Sequence, residues 1–276
     1  MMRSLWTAAS GMRAQQVNVD TIANNVANIN TIGYKTQQAS FKSLLYQNLQ
    51  STSTNNAGEN KPVAAEVGLG SRVAAITSTF TQGNLTHVEN PFSVALEGDG
   101  FFQIRTESGE LQYTRDGSFE ISPVTNGNML CTSDGNPVLD AYGNEIILPS
   151  NRVATDLVVN QDGTLAFPDG TGNPAVITDA NGRPVKFGIY QFNNPAGLSK
   201  EGGNNYSVTA ASGAAVAENG NAAVKQTKTH QYYTEASNVD VANEMVNLIV
   251  AQRAYEMNSK AIQASDEMMQ QANNLR

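Results

Sequence analysis

The sequence predicts an α+β protein in which long N- and C-terminal helices pair as a coiled-coil-like layer and carry a central antiparallel all-β domain. Three observations predict this fold class. All 9 prolines and 21 of the 23 glycines lie between Gly58 and Gly220, and both residues disfavour the interior of a helix. Apolar residues recur at helical spacing at the two ends of the chain. The middle instead alternates short strand-like runs with turn dipeptides.

Residues 1–34 form the predicted N-terminal helix of a core domain. Its apolar residues recur every seven positions, which places them on one helical face; they are Leu5, Met12, Val19 and Val26. Ser4 is the expected N-cap, and Gly33 is expected to end the helix in a left-handed conformation. Three amide side chains lie near that end: Asn24, Asn25 and Asn28. They either cap the helix or hydrogen-bond to backbone groups at the helix end or on a neighbouring subunit, and both roles stay open.

Residues 229–276 contain the predicted C-terminal helix of the core domain, and Ser237 to Asp240 offer capping side chains at its start. Its heptad consists of Val241, Leu248, Tyr255, Ile262 and Met269, with Met245 and Gln252 among the positions between them. Long helices with so thin an apolar seam gain most of their stability from partners. A core-packing helix pair is one interpretation. The other is an assembly interface made by these residues, the four N-terminal heptad residues and the three asparagines.

The middle divides into two predicted segments. Residues 35–68 are expected to be a linker with an extended polar stretch at 47–66, which is rich in Ser, Thr and Asn. Residues 69–228 form the predicted β domain. Asp-Gly occurs five times and Asn-Gly three times in it, and both dipeptides favour tight hairpin turns. The runs 100–105, 117–121 and 185–192 are typical of strands.

Charge and cysteine content exclude several classes of protein. The net charge of −8 and the pI near 4.8 argue against a nucleic-acid partner, since phosphates require basic surfaces. The single cysteine, Cys131, allows no internal disulfide. No apolar run is long enough to span a bilayer, and the N-terminus lacks the continuous apolar segment of a cleaved signal peptide. We therefore expect no membrane insertion.

No motif for catalysis is present in the sequence. The two histidines, His87 and His230, are not at metal-ligand spacing with each other or with Cys131. The aspartates of the Asp-Gly pairs are explained by turn geometry, and a hydrolase using Asp99 or Asp116 would need a proximity that the sequence does not indicate. The sequence thus predicts a protein that is not an enzyme and has no cofactor or metal.

Motifs along nearly the whole chain resemble the axial proteins of the bacterial flagellum, the rod and hook family. The residues that carry the resemblance are the segments 10–16, 23–35, 98–104, 113–119, 237–241 and 251–261. The asparagine-rich segment Ala23-Asn24-Asn25-Val26-Ala27-Asn28 is the most specific of them. In that family the terminal helices polymerise into an inner tube, and the middle forms an outer β domain.

This resemblance implies a structural subunit of the flagellar basal-body rod in the cell envelope. Its partners would be copies of itself in a helical homopolymer, proximal rod proteins, the hook and the flagellar type III export apparatus that carries it across the inner membrane. The 276 residues and the stretch at 47–66 favour the distal rod, where the tube transmits motor torque to the hook. A proximal rod or hook paralogue stays open, as does a self-contained β-rich adhesion module with a helical stalk.

Overall fold

The computed structural model describes residues 2–50, 65–125, 127–150, 152–168, 174–179, 182–221 and 224–274. Two long helices, α1 (Met2–Ala27) and α2 (Val241–Asn274), lie at the two ends of the described chain. Short strands fill the sequence between them, and all the strand pairings among the described residues are antiparallel. The predicted fold class, α+β with helical ends and an antiparallel β middle, is confirmed. The chain separates into two compact units.

The first unit, called here the helical unit, comprises the described residues of Met1–Ala27, Gln37–Ser78 and Asp240–Arg276. In it, α1 packs against α2 and against the strands β1 (Gln37–Ser43) and β4 (Ser71–Ser78). These two strands pair with each other, and β2 (Tyr46–Gln50) pairs with β3 (Ala65–Gly68).

Strands β1, β2 and β3 occupy described residues of the segment 35–68, for which the sequence analysis expected a linker. Their polar composition suggested a linker. Most side chains of β1 and β4 are exposed, so polar residues can form these strands without the free-energy cost of burial. The partner of β1 is β4, beyond the far end of the expected linker, and such a distant pairing leaves no local signal in the sequence. Of the polar stretch 47–66, residues 51–64 lie outside the described residues.

The helix ends differ in part from the predicted ones. Helix α1 begins at Met2, so Ser4 lies inside the helix rather than at its cap. It ends at Ala27, and turns follow up to Gly33, whose φ of +69° is left-handed as expected. Helix α2 starts after Asp240, whose carboxylate accepts the backbone N–H of Ala242 at 3.0 Å. Its 34 residues span about 50 Å at 1.5 Å per residue.

The second unit, called the β unit, comprises the described residues of Asn28–Thr36 and Thr79–Val239. Its six-stranded sheet contains, in spatial order, β16 (Ser199–Gly202), β17 (Asn205–Ser207), β8 (Leu111–Thr114), β7 (Phe101–Arg105), β15 (Ile189–Gln191) and β18 (Val216–Ala217). One three-stranded sheet contains β11 (Ile147–Leu148), β10 (Gly127–Cys131) and β9 (Glu120–Val124), and another contains β12 (Val158–Val159), β13 (Leu165–Pro168) and β14 (Pro174–Val176). The paired strands are β6 (Val94–Glu97) with β19 (Lys228–Gln231), and β5 (Leu85–His87) with β20 (Tyr233–Glu235). Short 3-10 helices occupy Ala154–Asp156 and Pro195–Gly197.

The Asp-Gly pairs serve two different purposes. After Asp134 and Asp162 the glycines have φ near +83° and +82°, as tight turns require. Gly117 instead lies against a neighbouring strand, and a Cβ there would be 1.8 Å from the carbonyl oxygen of Val94. The prediction of a hairpin turn at 116–117 was therefore wrong, because this glycine is needed for close backbone approach. Asp169, Asn126 and Asn181 lie outside the described residues.

Two apolar clusters on opposite faces of β7 form the core of the β unit. Phe102 belongs to the larger one, where its ring makes edge contacts with Phe119 at 5.0 Å and Phe187 at 5.4 Å. Phe101, its neighbour in sequence, points the other way into a smaller cluster with Tyr113, Phe192, Leu198 and Tyr206. Adjacent residues of a strand face opposite sides of its sheet, so the Phe101-Phe102 pair anchors both clusters.

Burial raises the pKa of Tyr206, in the smaller cluster, to about 12. The unfolded chain releases this proton near pH 10, so the folded state binds more protons between pH 10 and 12, and stability falls as pH rises through that window. We expect the wild-type chain to lose about 2–3 kcal/mol relative to Tyr206→Phe between pH 9 and pH 12. Urea unfolding of both chains at the two pH values measures this difference. Parallel pH profiles of the two chains would contradict it.

Candidate assembly interface

Helices α1 and α2 pack antiparallel in a register that three contacts define. Ser4 and Ser265 share a hydrogen bond of 3.4 Å between their hydroxyl oxygens. Gly11 lies against Asn258, because a Cβ on Gly11 would be 2.9 Å from its Nδ2 atom. Asn25 Nδ2 donates to Glu244 Oε1 at 3.3 Å. The steps between these pairs are equal and opposite along the two helices, as a continuous antiparallel seam requires.

The seam is made largely of small and polar residues, including the buried Ala8 and Ala251. This seam was not predicted, because the prediction followed the apolar heptad, which lies one residue further along α1. The signal for the seam was the seven-residue spacing of Ser4, Gly11, Asn18 and Asn25, which alternates with Ala8 and Ile22. Small side chains allow the two helices to approach closely. A repeat of small residues therefore indicates a helix pair with a short interaxial distance, just as a leucine repeat indicates one with a longer distance.

The predicted apolar heptads lie beside this seam. On α1 each heptad residue comes directly after a seam position in sequence, and Leu5, Met12, Val19 and Val26 are all half-buried. On α2 the residues Leu248, Ile262 and Met269 are half-buried, whereas Val241, Met245, Gln252 and Tyr255 are exposed. A groove of about 420 Å³ lies along this flank, lined by Val19, Gln252 and Tyr255 among others.

Helix α2 carries its largest exposed apolar side chains on the side away from α1. Val246, Ile249, Val250, Met257 and Met268 are each at least half exposed, and Met257 is 66% exposed. At 3.6 residues per turn, Val246 and Ile249 project nearly opposite to the seam residue Ala251, whereas Val250 and Met257 lie about 100° and Met268 about 60° around the helix from their nearest seam residues. We call this set the outer stripe of α2. Exposed apolar stripes of this kind mark surfaces for a partner.

A second apolar surface lies along α1 on its strand side. Helix α1, together with Leu44 and the β4 residues Ser71, Arg72 and Val73, lines an open groove of about 860 Å³, called here the α1 groove. Its walls include Ala9, Val17, Leu44 and Val73. Trp6, the only tryptophan of the chain, lies at its end and is 74% exposed.

Asn25 forms hydrogen bonds to the backbone of Gln37, a residue of its own chain that neither predicted role named. Its Nδ2 donates to the carbonyl oxygen of Gln37 at 2.8 Å, and its Oδ1 accepts the N–H of Gln37 at 2.9 Å. This side chain, only 1% exposed, thereby fixes the start of β1 against α1. Asn28 Oδ1 accepts the hydroxyl of Thr31 at 3.1 Å, and Asn24 is exposed.

Asn25→Asp should destabilise the helical unit. The substitution removes the amide donor to Gln37 and places a carboxylate beside Glu244, whose pKa burial already raises despite the Asn25 hydrogen bond. We expect a loss of about 3 kcal/mol at pH 7, given the cost of an unpaired buried charge, and a smaller loss at pH 4, where carboxyl groups take up protons. Urea unfolding followed by circular dichroism at 222 nm measures it. The matched variant Asn24→Asp, at an exposed neighbour, should change little, and equal effects at both positions would contradict the assignment.

A buried ionic cluster holds together the β-unit residues that follow α1 and precede α2 in sequence. Lys35 Nζ lies 2.6 Å from Glu235 Oε1, and Arg115 Nη1 lies 3.3 Å from Glu235 Oε2. All three side chains are almost fully buried. Burial lowers the pKa of Lys35 below its usual value, while the charge of Glu235 opposes that shift. We call these residues the junction cluster.

Backbone groups complete the junction cluster. Glu235 Oε1 accepts the N–H of Gly83 at 2.9 Å, and Lys35 Nζ donates to the carbonyl oxygen of Thr81 at 2.9 Å. Arg115 donates to the carbonyl oxygen of Gly98 at 2.7 Å, and its guanidinium lies over the Phe101 ring. Each cation is thus paired with Glu235 and donates to a backbone carbonyl, as buried ions need in order to be tolerated. Arg115 Nε is left buried without a hydrogen-bond partner among the described residues.

Asn238 joins three chain segments next to this cluster. Its Oδ1 accepts both the N–H and the hydroxyl of Thr36 at 2.7 Å. Its Nδ2 donates to the carbonyl oxygens of Thr79 and Thr81 at 2.9 and 3.1 Å. The sequence analysis considered Asn238 only as a capping residue, since neither distant partner is visible from its neighbours in sequence.

Three family models match the chain and define its class as a flagellar rod or hook protein. The description "Flagella basal body rod protein" covers residues 5–35, "Flagellar hook protein FlgE/F/G D1 domain" covers 95–167, and "Flagellar basal body rod FlgEFG protein C-terminal" covers 230–275. The first and last of these cover most of α1 and α2, and the second begins in β6. Members of this class are structural proteins of the flagellum rather than enzymes.

Relatives that are similar over their full length show which family of rod and hook proteins the chain belongs to. The chain is 43% identical to the flagellar basal-body rod protein FlgG of Borreliella burgdorferi, over 100% of this chain and 99% of the relative. It is 38% identical to the protein of that name from Caulobacter vibrioides and 34% identical to the one from Bacillus subtilis, each over 100% of both chains. The chain therefore belongs to the flagellar basal-body rod protein family, which localises to the basal body in the cell envelope. Neither helix of the described chain is long and apolar enough to cross a membrane.

Proposed function

We propose that this chain is the subunit of the distal rod, which polymerises into a stiff hollow tube and transmits motor torque to the hook. The observation that carries the proposal is the likeness, over the full length of this chain, to relatives named flagellar basal-body rod protein FlgG. The function resides in interfaces between subunits, and no bound substrate is needed for it.

The geometry of the helical unit supports polymerisation. The outer stripe of α2 and the α1 groove both expose apolar side chains to water. Burial of these surfaces between copies would stabilise the contact by about 25 cal/mol for each Å² of apolar surface. The heptad residues of the sequence analysis, from Leu5 to Val26 on α1 and from Val241 to Met269 on α2, contribute the adjoining flank. Asn24 and Asn28 are proposed as further interface residues, and the buried Asn25 would support the interface by fixing β1 against α1.

The junction cluster supports a role in torque transmission. It fixes, within the β unit, the residues that lead directly to β1 and to α2. A rod that transmits torque needs stiff connections within its subunits. A flexible hinge along the path of the force would bend locally, and less of the torque would reach the hook. Paired buried charges and short hydrogen bonds resist that deformation better than exposed loops do.

The proposed partners are other copies of this chain, proximal rod proteins and the hook, with the flagellar type III export apparatus carrying the chain across the inner membrane. A chain with a single cysteine, Cys131, has no intramolecular disulfide to reduce before export in an unfolded state. No nucleic acid or cofactor takes part.

The proposal is tested by expressing the chain in a flagellated bacterium that lacks its own distal rod subunit. We expect swimming to be restored, with straight rods containing the chain in electron micrographs of purified basal bodies. A chain lacking residues 2–27 should be absent from rods and fail to restore swimming. A truncated chain that still supports swimming, or full-length chain absent from basal bodies, would contradict a rod function and favour a self-contained module.

A paralogous position in the same axial structure is the second candidate. The chain is also 32% identical, over 100% of both chains, to the flagellar hook-basal body complex protein FlhP of Bacillus subtilis. Gold-labelled antibodies against the β unit distinguish the two positions on isolated basal bodies. Labels on the distal half of the rod support the distal assignment, and labels confined to the proximal rod or the hook contradict it.

A further inference from the structure

The turn at Asn219 and Gly220 is the one Asn-Gly pair of which the structure describes both residues. The N–H of Asn221 donates to the carbonyl oxygen of Glu218 at 3.2 Å and closes the turn. Gly220 has a φ of +76°, as a type II turn requires at its third position. Asn219 and Gly220 are both exposed, and a Cβ added to Gly220 would meet no described atom beyond its chain neighbours within 4 Å. The peptide bond between the two residues is therefore open to solvent.

The backbone nitrogen of Gly220 is available for reaction. In the part of the chain that the structure describes, its N–H meets no hydrogen-bond acceptor, and the carboxamide of Asn219 makes no hydrogen bond either. The glycines of three Asp-Gly pairs differ in this respect, because each donates its N–H within the β unit at 2.9–3.1 Å; they are Gly100, Gly135 and Gly163. A bonded amide has to give up its hydrogen bond before its nitrogen can attack a neighbouring carbonyl carbon. The Gly220 amide reacts without that cost.

We propose that Asn219 is a site of spontaneous deamidation. The backbone nitrogen of Gly220, once deprotonated, attacks Cγ of Asn219, and the side-chain amide leaves as ammonia, which takes up the proton. Glycine favours this attack because it has no side chain to obstruct the ring that forms. The product, a five-membered succinimide, then adds one water molecule at either of its two carbonyl carbons. One opening gives aspartate, and the other gives isoaspartate, in which the main chain runs through the former side-chain carbon. The overall step exchanges ammonia for water.

Either product places a new carboxylate next to a buried one. Glu218, only 5% exposed, accepts the side-chain amide of Gln191 at 2.7 Å and so ties the turn to β15. Asn219 borders a small cavity together with Glu218, Asp162 and Lys186. A carboxylate at position 219 would therefore add a third anion beside a single cation, and isoaspartate would also lengthen the main chain within the turn. This inference concerns the β unit alone and does not depend on the proposed rod function.

Peptide mapping of the purified full-length chain by mass spectrometry tests the site. Samples are kept at pH 6 and at pH 9 and digested at successive times, and an isoaspartyl methyltransferase identifies the isoaspartate form. We expect the peptide that contains Asn219 to convert to aspartate and isoaspartate. Conversion should be about tenfold or more faster at pH 9 than at pH 6, because the attacking nitrogen must first lose its proton. A rate that does not change with pH would contradict this route.

Two controls show whether the turn itself is responsible. Asn219→Gln has to close a six-membered ring, so conversion at this position should slow by about tenfold, or about 1.4 kcal/mol of activation free energy. Asn193 is exposed as well, but the N–H of Asn194, which follows it, donates to the carbonyl oxygen of Ser212 at 3.4 Å. Asn193 should therefore convert at about a tenth of the rate of Asn219 or less.

Three results would overturn the proposal: no conversion at Asn219, equal rates at Asn193 and Asn219, or equal rates in the wild-type and Asn219→Gln chains. Because the experiment uses the purified chain, a failure of the rod function in bacteria would leave its result unchanged.

Discussion

Replacing Glu235 with alanine should lower the free energy of unfolding of the β unit by about 3–5 kcal/mol, because it leaves Lys35 and Arg115 as buried cations without their anion. Both bonds of Glu235 to these cations are short, and all three side chains are almost fully buried. The backbone N–H of Gly83 would lose its acceptor as well. This is the largest effect on stability that we expect from any single polar substitution in the chain.

Native-state hydrogen exchange at the buried amide of Leu130 measures the effect, since this amide donates to the carbonyl oxygen of Ile146 at 3.0 Å and does not contact Glu235. A surface ion pair provides the control: Arg105 and Glu145 lie 3.0 Å apart and are both partly exposed. Glu145→Ala should cost less than about 1 kcal/mol. Equal losses in the two variants would show that the junction cluster contributes no more than an exposed pair.

Val250→Asp should abolish incorporation into rods while the isolated chain stays folded. Val250 is 61% exposed, and substitutions at such positions change stability by about 0.5 kcal/mol or less. Buried between copies, the same carboxylate would lose its water without gaining a partner, at a cost of several kcal/mol. We therefore expect a normal circular dichroism spectrum of the purified chain, no swimming, and no chain in basal bodies.

Gln263→Asp, at an exposed polar position of the same helix, is the matched control and should leave swimming intact. Leu248→Asp, which the heptad alone would suggest, is less informative because Leu248 is half-buried beside α1 and its loss would also disturb the helix pair. Normal rods built from the Val250→Asp chain would contradict the assignment of the outer stripe.

The strands in the segment 35–68 show which elements of the fold could not be predicted from sequence patterns. Helices at both ends could be predicted because glycine and proline are nearly absent there, and the β unit could be predicted because Asp-Gly turns are frequent. The strand β1 could not, since its exposed polar residues match a loop as well as a strand, and β4 pairs with it from far along the chain. The local propensity of residues 37–43 does not predict pairing with a strand so distant in sequence.

The asparagines at the end of α1 show the same limit for the candidate interface. Their position near a helix end was evident, but both capping and hydrogen bonding to backbone groups at the helix end or on a neighbouring subunit fitted that position. Only the folded chain brings Gln37 to Asn25. The junction cluster was not predicted at all, since Lys35 and Glu235 are 200 positions apart and Arg115 and Glu235 are 120 apart.

The sequence by itself determined which parts of this protein are helical, which part is β-rich and, through motifs along nearly its whole length, the family. The reason is that backbone restriction by proline, conformational freedom of glycine and heptad spacing all act over a few residues. The tertiary structure alone decided which helical faces meet. It placed small and polar residues in the seam between α1 and α2 and left valines and methionines facing outward, because close helix approach favours small side chains and the larger apolar ones remain for a partner.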